Sequence, residues 1–511
     1  MVICRGILKS KIPVNHSSYV EDNATIISRS IKAGYKKTSH TRLANKENMN
    51  KNFFRNLLFI SIIVSAISSC KVTQPYQSPS MTMTGLYRDS ASADTNSLAT
   101  LKWSQVFTDT VLQGLIAEGI TNNLDLRSAY TNIQQAQAYY LQSKATFLPT
   151  LNATAGITES KLNTVTGFGI RTNATQFQLG LSSSWEVDIW GKLSSNRRAS
   201  LASLLQSEAA VRTVQTNIVA NIANYYYSLL ALDKQLAITQ QTVYNWDTTV
   251  QTMRALKEAA VVTGAAVVQS EAQRYAAEVT IPDLKQSIRE TENALSILLG
   301  RAPAAIRRGS IEEQKTVSVL QTGVPAQLLA NRPDVQQAEL NFRYYFELTN
   351  VARAYFYPSL AITGSATLSS LTPRTFFDIG SLAASIGAGL TQPLLNQRAN
   401  RTRLAVSRAQ QQGALLDFQN TLLTAGQEVS NSISLYQTAL DKMAVRTNQM
   451  TALQKSVEYS QELLRYGSAN YTEVITARQS LLGAELSRVN DRLQQLQAIV
   501  NLYRSLGGGW K

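Results

Sequence analysis

Cysteine and histidine are almost absent from this chain of 511 residues. The two cysteines are Cys4 and Cys70, and both histidines, His16 and His40, lie between them. A chain cleaved before Cys70 would have no histidine and one cysteine, which leaves no disulfide, no Cys/His metal site, no Ser-His-Asp triad and no free thiol nucleophile once that cysteine is acylated. Catalysis by carboxylates alone is not excluded by these absences, but no nucleotide-binding loop or other enzyme motif is present. We predict a protein that is not an enzyme and holds no metal.

Glycine and proline are absent from residues 192–263, a run long enough for a helix of about 108 Å. Residues 397–466 form a second such run, without proline and with glycine only at Gly413 and Gly426. Both runs carry apolar residues at alternating spacings of three and four, which is typical of a coiled-coil seam. Such helices exceed the radius of an ordinary domain, so we predict an elongated, mainly α-helical protein. The seam residues are Ile222, Tyr225, Leu229, Leu232, Leu236, Thr239, Val243, Trp246, Val250 and Met253, followed in the second run by Val429, Ile433, Tyr436, Leu440 and Met443.

The basic excess typical of nucleic-acid-binding proteins is missing from most of the chain. The formal net charge is +15, but residues 1–69 contain 11 basic and 3 acidic residues, which leaves 38 basic and 31 acidic residues for the remainder. Over half of the excess therefore lies in the leader. We predict no nucleic-acid partner.

That leader, residues 1–69, has the form of a bacterial signal peptide. Lys51 and Arg55 precede an apolar run, residues 57–67, that is too short to span a bilayer. The sequence Ile67-Ser68-Ser69-Cys70 resembles the lipobox of bacterial lipoproteins, which implies cleavage before Cys70 and acylation of its thiol and amino group. The alternative is an ordinary thiol after a non-lipoprotein signal. Because residues 1–48 lack periodicity, we also consider Met49 as the true start of translation.

Beyond residues 70–100, which we interpret as lipid anchor and polar tether, helical and strand-like segments alternate. A helix is predicted over residues 108–147, ending before Pro149, and strands over residues 150–160 and 175–187 around a hairpin loop. The strands have about the length that a tilted strand needs to cross a bilayer. Trp185 and Trp190 fit either a membrane–water interface or packing at the corner between strand and helix.

The same order of elements recurs, which predicts two tandem repeats of helix, β-hairpin, very long helix and return helix. The repeats would occupy residues 101–300 and 325–511, joined by an irregular link, residues 301–324. Matching landmarks lie 205–209 positions apart, a single period that chance does not readily produce. The landmarks are Pro149 and Pro358, Asp125 and Asp334, Ala272 and Ala477, and Gly300 and Gly507. The remaining predicted elements are return helices over residues 265–299, kinked at Pro282, and from residue 471, a helix over 325–357, and strands over 360–370 and 382–391.

Two hairpins per chain cannot close a membrane barrel, because unpaired strand edges leave backbone groups unsatisfied in lipid. The chain must therefore oligomerise. Four strands per chain would give an eight-stranded barrel in a dimer, with almost no lumen, and a twelve-stranded barrel with a pore in a trimer. The strand count alone does not select between them.

Several short motifs, taken in this order after a lipobox, resemble the TolC-like outer-membrane efflux factors, specifically the NodT-type lipoproteins. This resemblance implies a homotrimer, with a twelve-stranded β-barrel and a periplasmic tunnel of twelve helices about 100 Å long. It also implies a periplasmic adaptor and an inner-membrane pump of the resistance-nodulation-division class as partners. In such a tripartite efflux pump the protein would lie in the outer-membrane lipid as a passive exit duct, through which drugs, other small molecules or metal ions leave to the medium. The motifs are Trp185-Glu186-Val187-Asp188-Ile189-Trp190-Gly191-Lys192, Asn331-Arg332-Pro333-Asp334-Val335, Ala425-Gly426-Gln427-Glu428-Val429, Tyr466-Gly467-Ser468-Ala469-Asn470-Tyr471 and Leu506-Gly507-Gly508-Gly509-Trp510.

Two other functions stay open at this point. An export duct for proteins or peptides, paired with an ATP-driven transporter, would share the fold and motifs. A periplasmic coiled coil without a pore would leave the four amphipathic strands unexplained. The transported substrate does not follow from the sequence.

Most of the motif residues have a structural interpretation. Pro333 suits the first turn of a helix, where Asp334 would face the positive end of the helix dipole, as Asp125 would in the first repeat. We interpret Glu428 as a solvated or tunnel-facing residue and not as a specific ion site. The glycines 507–509 before Trp510 would let the last turn pass close to another backbone.

The tips of the two helical hairpins, residues 262–264 and 466–471, should lie farthest from the membrane. The resemblance implies that such tips contact the adaptor and close the pore, often with a ring of aspartates. The candidate residues are Gly264, Gly467, Ala469 and Glu473. Ala469 stands where an acidic residue is sometimes found, so Glu473, one turn inward, is the candidate carboxylate.

Overall fold

The computed structural model describes residues 72–81, 85–88, 97–161, 173–315, 327–466 and 470–511. Residues from Val72 onward form one compact unit. The described helices are α1 (Trp103–Val106), α2 (Thr110–Asn122), α3 (Leu124–Ala145), α4 (Lys192–Glu258), α5 (Gly264–Glu278), α6 (Thr280–Leu298), α7 (Gln327–Asn331), α8 (Pro333–Ala354), α9 (Ala399–Arg465) and α10 (Tyr471–Ser505). The strands are β1 (Thr150–Lys161), β2 (Asn173–Val187), β3 (Ser359–Ser370) and β4 (Leu382–Thr391).

Helix α4 is the central rod of the fold. It and α9 each contain 67 residues, so each is about 100 Å long. Helices α2, α3, α5, α6, α8 and α10 all pack against α4, whereas α9 packs against α8 and α10. The predicted seam of α4 is largely buried, from Ile222 to Met253, with Tyr225 as an exception at 38% exposure. The coiled-coil spacing therefore marks the contacts between helices.

The four strands form one antiparallel sheet in the order β1-β2-β3-β4. Thr150 lies opposite Ser184 in the first hairpin, and Ser359 lies opposite Thr391 in the second. The hairpins meet through β2 and β3, where Val187 is opposite Leu360. Among the described residues, β1 pairs only with β2 and β4 only with β3, so the sheet has two edge strands.

Alternation along each strand gives the sheet one apolar and one polar face, because successive side chains point to opposite sides. The register aligns these two faces across all four strands, with a few serines such as Ser183, opposite Leu151, on the apolar face. The apolar face carries Leu151, Ile157, Leu179, Leu181, Ile362, Leu368, Ile386 and Leu390, and the polar face carries Thr154, Thr158, Gln178, Ser182, Thr363, Thr367 and Ser385.

Helix breaks differ from the sequence predictions at three places. The helix predicted over 108–147 is divided at Asn123, whose side chain accepts a hydrogen bond from the backbone N–H of Leu126 at 2.9 Å. The helix predicted over 325–357 is divided at Arg332. Between α5 and α6 the break falls at Val279, so Pro282 lies in the first turn of a new helix, where proline is tolerated.

Among the described residues, no helix has both the length and the apolar composition needed to cross a bilayer.

The segment that we interpreted as a polar tether packs against the helices. The backbone N–H of Gln74 donates to Asn350 Oδ1 at 3.1 Å, and Asn350 Nδ2 donates back to the Gln74 carbonyl at 2.9 Å. The ring of Tyr76 lies 5.6 Å from that of Phe346, and Leu86 fills the space above Gly426. The described parts of this segment therefore run along α8 and α9.

Candidate functional site

The tips of the two helical hairpins lie side by side and share an apolar core. The first hairpin is α4 with α5, and the second is α9 with α10. Met253 and Val267 of the first hairpin are buried in one cluster with Leu464 and Val474 of the second. Tyr471 packs against this cluster and against a second one that contains the buried Trp246. The two turns therefore lie together, and their position farthest from the membrane stays a prediction.

The turn at the end of α4 is built without glycine. The backbone N–H groups of Ala260 and Val261 donate to the carbonyls of Lys257 and Leu256 at 3.0 and 2.8 Å, which is the Schellman pattern. Ala260 has φ of 56°, a left-handed conformation that glycine usually supplies. Gly264, the predicted tip residue, instead begins α5, and a Cβ atom there would meet only Lys257 Cε at 3.9 Å. The turn therefore does not require glycine at position 264 for steric reasons.

Glu473 is exposed in the first turn of α10, next to the helix start capped by Asn470. It lines an open groove of about 920 Å³ between α9 and α10, together with Lys455, Tyr459 and other residues. The helix dipole favours a carboxylate in this position, as it does for Asp334 at the start of α8. Two further gate candidates, Gly467 and Ala469, lie outside the described residues.

Arg478 is a contact between the hairpins that sequence reasoning missed. From α10, its Nη1 donates to the Asn245 carbonyl of α4 at 3.3 Å, and its guanidinium lies 5.9 Å from the Trp246 ring. Burial lowers the pKa of Arg478. By contrast, Arg254 pairs with Glu271 at 2.6 Å inside the first hairpin. Arg478 thus joins the two hairpins, whereas Arg254 supports only one.

At the opposite end of α4, the motif from Trp185 to Lys192 forms the corner between strand and helix. Asp188 accepts hydrogen bonds from the backbone N–H groups of Leu193 and Ser194 at 2.9 and 2.8 Å, which caps the start of α4. Gly191, with φ of 74°, makes the turn. Trp190 Nε1 donates to the Pro358 carbonyl at 2.7 Å.

Both indoles of this corner have hydrogen-bond partners. Trp185 Nε1 donates to the Phe147 carbonyl at 2.9 Å, and the Trp190 ring stacks 5.0 Å from that of Tyr357. Of the two interpretations left open for these tryptophans, packing at the corner is the one with direct contacts.

Arg332 is the centre of a buried ion-pair cluster. Its side chain is 7% exposed, and it donates to Asp334 through Nε at 3.0 Å and to Glu428 through Nη1 at 2.8 Å. Burial acts to raise the pKa of Asp334, but the hydrogen bonds and charge of Arg332 outweigh it, so this pKa lies below its ordinary value. Pro333 starts α8 beside this cluster.

Glu428 therefore differs from its sequence interpretation as a solvated or tunnel-facing residue. It is half-buried and also accepts a hydrogen bond from Arg504 at 3.4 Å. The two cations explain why an acidic residue stands at this point of α9. Sequence spacing could not show this, because Arg332, Glu428 and Arg504 come from three separate segments.

The C-terminal glycines lie over the break between α7 and α8. Gly507 has φ of 90°, and a Cβ atom there would lie 2.4 Å from the Asn331 carbonyl oxygen. A Cβ on Gly508 would meet the Tyr503 ring, and Gly509, with φ of 100°, passes close to the backbone of α4. Trp510 Nε1 then donates to the Asn331 carbonyl at 3.0 Å.

The described part of the link segment, residues 301–315, also holds helices together in a way that the sequence did not reveal. Arg308 Nη2 donates to Asp233 of α4 at 2.9 Å, and Arg308 Nη1 pairs with Glu292 of α6. Tyr226 donates to Asp109 Oδ2 at 2.7 Å. Burial and this carboxylate raise the pKa of Tyr226.

Cys70, the predicted lipidation site, lies outside the described residues. Within the described ranges, no group of three or more histidine, cysteine, aspartate or glutamate residues is placed to hold a metal ion.

Rods about 100 Å long, joined to a four-stranded sheet with one apolar and one polar face and two edge strands, define a mainly helical chain with the TolC-like channel fold. The chain belongs to the outer membrane efflux protein family, whose model matches residues 115–301 and 324–508. It is an outer-membrane efflux channel protein.

Two relatives and one solved structure illustrate the family. The toluene efflux pump outer membrane protein TtgC of Pseudomonas putida is 28% identical over 472 residues, covering 89% of this chain and 96% of TtgC. The probable outer membrane lipoprotein SilC of Salmonella typhimurium is 27% identical over 467 residues, covering 90% and 99%. The outer-membrane channel OprN has the same fold, with a TM-score of 0.80 at 23% identity, and the match covers 86% of this chain and 100% of OprN.

Proposed function

We propose that this protein is the passive exit duct of a tripartite efflux pump, through which small molecules pass from the periplasm to the medium. Three copies would close a twelve-stranded barrel and a continuous helical tunnel. The observation that carries this proposal is the sheet itself, because its two faces suit lipid on one side and water on the other, and its edge strands need partners from other copies.

The tandem repeat supplies the architecture of this duct. Residues 101–300 and 325–511 would each contribute one hairpin to the barrel and one helical hairpin to the tunnel, with residues 301–324 as the link. In support, the two rods have equal length, and the family model matches the chain twice, once on each side of the link. Residues 1–69 would be removed as leader and signal peptide.

The lipid anchor and the partners complete the proposal. A covalent lipid on Cys70 would hold residues 70–100 at the outer membrane, and no other cofactor is needed because the duct does no chemistry. A periplasmic adaptor and an inner-membrane pump of the resistance-nodulation-division class would meet the hairpin tips. The relatives are channel proteins of efflux pumps, which supports a channel without enzymatic activity.

Substrate class is set by the pump in this proposal. The relatives include a protein of a toluene efflux pump and a cation efflux system protein, CusC of Escherichia coli, at 26% identity. Such different cargoes on one fold indicate that the duct accepts what the pump delivers. We therefore propose drugs, solvents or metal ions as the range of cargo.

Affinity capture after mild crosslinking in cells tests the proposal. The tagged protein is solubilised in detergent and its partners are identified by mass spectrometry. We expect a periplasmic adaptor together with a proton-driven pump. Recovery of an ATP-driven exporter would make the protein a secretion duct instead, and a trimer recovered with neither would contradict the assignment to a pump.

A further inference from the structure

Three arginines lie in the last turn of α8 and the first three turns of α9, near the sheet: Arg353, Arg401 and Arg408, which we call the outer arginine cluster. We propose that this cluster binds the phosphate of an anionic phospholipid, such as phosphatidylglycerol, in the inner leaflet of the outer membrane. The inference rests on the proposed function, which supplies the membrane and the lipid anchor, and adds to it a lipid site on the outside of the duct.

The segment that follows Cys70 marks the outer side of the helices. Gln74 exchanges two hydrogen bonds with Asn350 of α8, at 3.1 and 2.9 Å. A segment anchored in lipid at Cys70 cannot run inside a closed tunnel, so the face of α8 that carries Asn350 would face outward. Arg353 lies on that face, because its Nη1 donates to Asn350 Oδ1 at 3.0 Å.

The same segment places the cluster near the membrane surface. Thr73 lies at the corner between strand and helix, since a Cβ atom on Gly191 would be 3.1 Å from Thr73 Oγ1. Gln74 is the fourth residue after Cys70, and four residues span at most about 14 Å. Acyl chains on Cys70 would therefore enter the membrane close to the level of Asn350. Long arginine side chains at that level reach lipid headgroups.

Arg353 and Arg408 are neighbours without a carboxylate partner. Thr349 Oγ1 donates to the Ser407 carbonyl at 3.1 Å, which places this part of α8 beside the turn of α9 that carries Arg408. Arg353 is half-buried, and burial together with the positive charge of Arg408 lowers its pKa. Among the described residues, no aspartate or glutamate forms an ion pair with any arginine of the cluster. A bound anion would offset the repulsion between these cations.

Arg401 would supply a third set of donors. It lies seven residues before Arg408, which is about two turns of α9, so both belong to the same face of the helix. Both side chains are exposed. Nε and Nη2 of Arg353 have no acceptor within the described part of the chain, so they are available to a ligand. The planar fork of a guanidinium fits two oxygens of a phosphate.

Neighbouring cations on the same helices and on α4 already have partners. Arg198 of α4 pairs with the buried Glu347 at 2.8 Å. Arg403, between the two arginines that α9 contributes to the cluster, lies 3.9 Å from the ring of Tyr355. The outer arginine cluster is therefore distinguished by charges that the described residues leave uncompensated.

Exposed leucines close to the cluster in sequence suit the acyl chains of a phospholipid. Leu394 and Leu395, between β4 and α9, are 89% and 98% exposed. Leu390, on the apolar face of β4, is 64% exposed. A phospholipid with its phosphate at the arginines would extend its chains towards this apolar surface. Cations beside apolar surface at a membrane interface are typical of sites for anionic lipid headgroups.

Native mass spectrometry of the detergent-solubilised protein tests the proposal. Phosphatidylglycerol or phosphatidylethanolamine is added to the purified protein, and the lipid-bound fraction is measured at each lipid concentration. We expect phosphatidylglycerol to bind more tightly, since phosphatidylethanolamine has no net charge. The double variant Arg353→Gln/Arg408→Gln should bind phosphatidylglycerol about tenfold more weakly, because each basic residue near an anionic headgroup strengthens binding severalfold.

A second pair of arginines controls for net charge. Arg127→Gln/Arg289→Gln removes the same charge from two exposed side chains. Arg127 lies about 27 Å along α3 from the end that adjoins β1. Arg289 belongs to α6, whose end meets the start of α3 through the hydrogen bond from Asn123 to the Leu298 carbonyl. This variant should bind phosphatidylglycerol as the native protein does.

Two further measurements complete the test. If the double variant does not fold, Arg408→Gln alone replaces it, since Arg408 is exposed, and should weaken phosphatidylglycerol binding severalfold. Inorganic phosphate added in excess should not displace phosphatidylglycerol, because free phosphate lacks the acyl chains that would contact the apolar surface.

Contrary results are distinguishable. Equal binding of the two lipids, or an equal loss in Arg127→Gln/Arg289→Gln, would overturn the lipid site and leave the proposed duct intact. Displacement of phosphatidylglycerol by inorganic phosphate would show a site for a free anion only. A monomer in the same mass spectra and after crosslinking in cells would refute the proposed duct itself.

Discussion

At the scale of single residues, Gly507 has the most restrictive surroundings. Its φ of 90° disfavours any residue with a side chain, and a Cβ atom would lie 2.4 Å from the Asn331 carbonyl oxygen. We expect Gly507→Ala to destabilise the protein by about 2 kcal/mol or more, since a left-handed residue with a side chain costs about 1–2 kcal/mol before any clash. The shift of the thermal unfolding midpoint, recorded at fixed protein and detergent concentrations, measures this loss of stability.

Gly413 is the matched control for Gly507. It lies within α9, and a Cβ atom there would meet nothing within 4 Å. Gly413→Ala should leave the midpoint unchanged or raise it, because alanine is favoured over glycine in a helix by up to about 1 kcal/mol. Equal midpoints for the two variants would contradict the steric role of Gly507.

The ion pair between Arg332 and Asp334 makes stability depend on pH. The folded pKa of Asp334 lies below its ordinary value of 3.8, so the pair contributes fully above that pH and its contribution is lost as the pH falls through the folded pKa. We expect Asp334→Asn to lower stability at neutral pH by about 2 kcal/mol, because Arg332 stays buried with one partner fewer. The variant and the native protein should converge once the pH falls below the folded pKa of Asp334.

Asp125→Asn is the control for this pH dependence. Asp125 corresponds to Asp334 in chain order, but it is exposed. Two positions before it stands Asn123, whereas Arg332 stands two positions before Asp334. Unfolding midpoints recorded between about pH 3 and pH 7 should show little change for Asp125→Asn. A native-like pH profile for Asp334→Asn would show that the pair contributes nothing.

Residue roles were predictable where they depend on neighbours in the sequence. Pro333 at a helix start and glycine at a close approach follow from local rules. The environment of Glu428 and the contact of Arg478 were not predictable, because their partners lie at least 76 and 232 positions away. Left-handed Ala260 and Arg398 were missed for another reason, since glycine is the usual signal for that conformation.

At the scale of elements, Arg478 connects the two helical hairpins at their tips. Arg478→Ala removes the hydrogen bond from α10 to the Asn245 carbonyl, which then keeps only partners within α4, among them Thr249 Oγ1 at 2.9 Å. We expect looser packing of the hairpins and a several-fold rise in closed-channel conductance in planar bilayers, since a cost of about 1.4 kcal/mol shifts a two-state equilibrium tenfold.

The control is Arg254→Ala. This change removes an ion pair of 2.6 Å inside the first hairpin, between α4 and α5, on an arginine whose side chain is 61% exposed. Its conductance should stay native. A rise of equal size in both variants would attribute the effect to loss of charge at the tips and not to the contact between hairpins.

Glu473 tests the same end of the molecule through charge. In a trimer, its three exposed carboxylates would surround the axis and favour cations. We expect Glu473→Ala to lower the preference for cations in planar bilayers, while Glu473→Asp keeps it. Unchanged selectivity and conductance in the alanine variant would remove Glu473 from the gate.

The elements themselves were well predicted by periodicity. All four strands and both rods lie within a few residues of their predicted bounds, because alternation and the three-four spacing are properties of each segment alone. The breaks at Asn123 and Arg332 were missed. The residue at each break forms a hydrogen bond to a backbone carbonyl far away in the sequence. Asn123 Nδ2 donates to the Leu298 carbonyl at 2.8 Å, and Arg332 Nη1 donates to the Ser505 carbonyl at 3.0 Å.

At the scale of the whole molecule, the proposed barrel would turn one face of the sheet to lipid and the other to water. Ser385 and Ile386 are neighbours in β4, and both are exposed in the single chain, so the chain alone does not distinguish them. The hydroxyl oxygens of Ser385 and Ser365 are hydrogen-bonded across the polar face at 2.8 Å, whereas Ile386 lies on the apolar face. Closure into a barrel would place the first in the pore and the second in the membrane.

This assignment predicts opposite effects of one substitution at adjacent positions. Ile386→Arg should reduce the amount of assembled protein in the outer membrane, because arginine facing lipid costs about 2–4 kcal/mol per copy near the bilayer centre. Ser385→Arg should assemble normally but lower the current and shift selectivity towards anions, because it adds three positive charges to the lumen. Heat-resistant trimer on gels and single-channel recordings measure the two effects. Normal assembly of Ile386→Arg with an altered current, and failed assembly of Ser385→Arg, would mean that the sheet closes with its faces reversed.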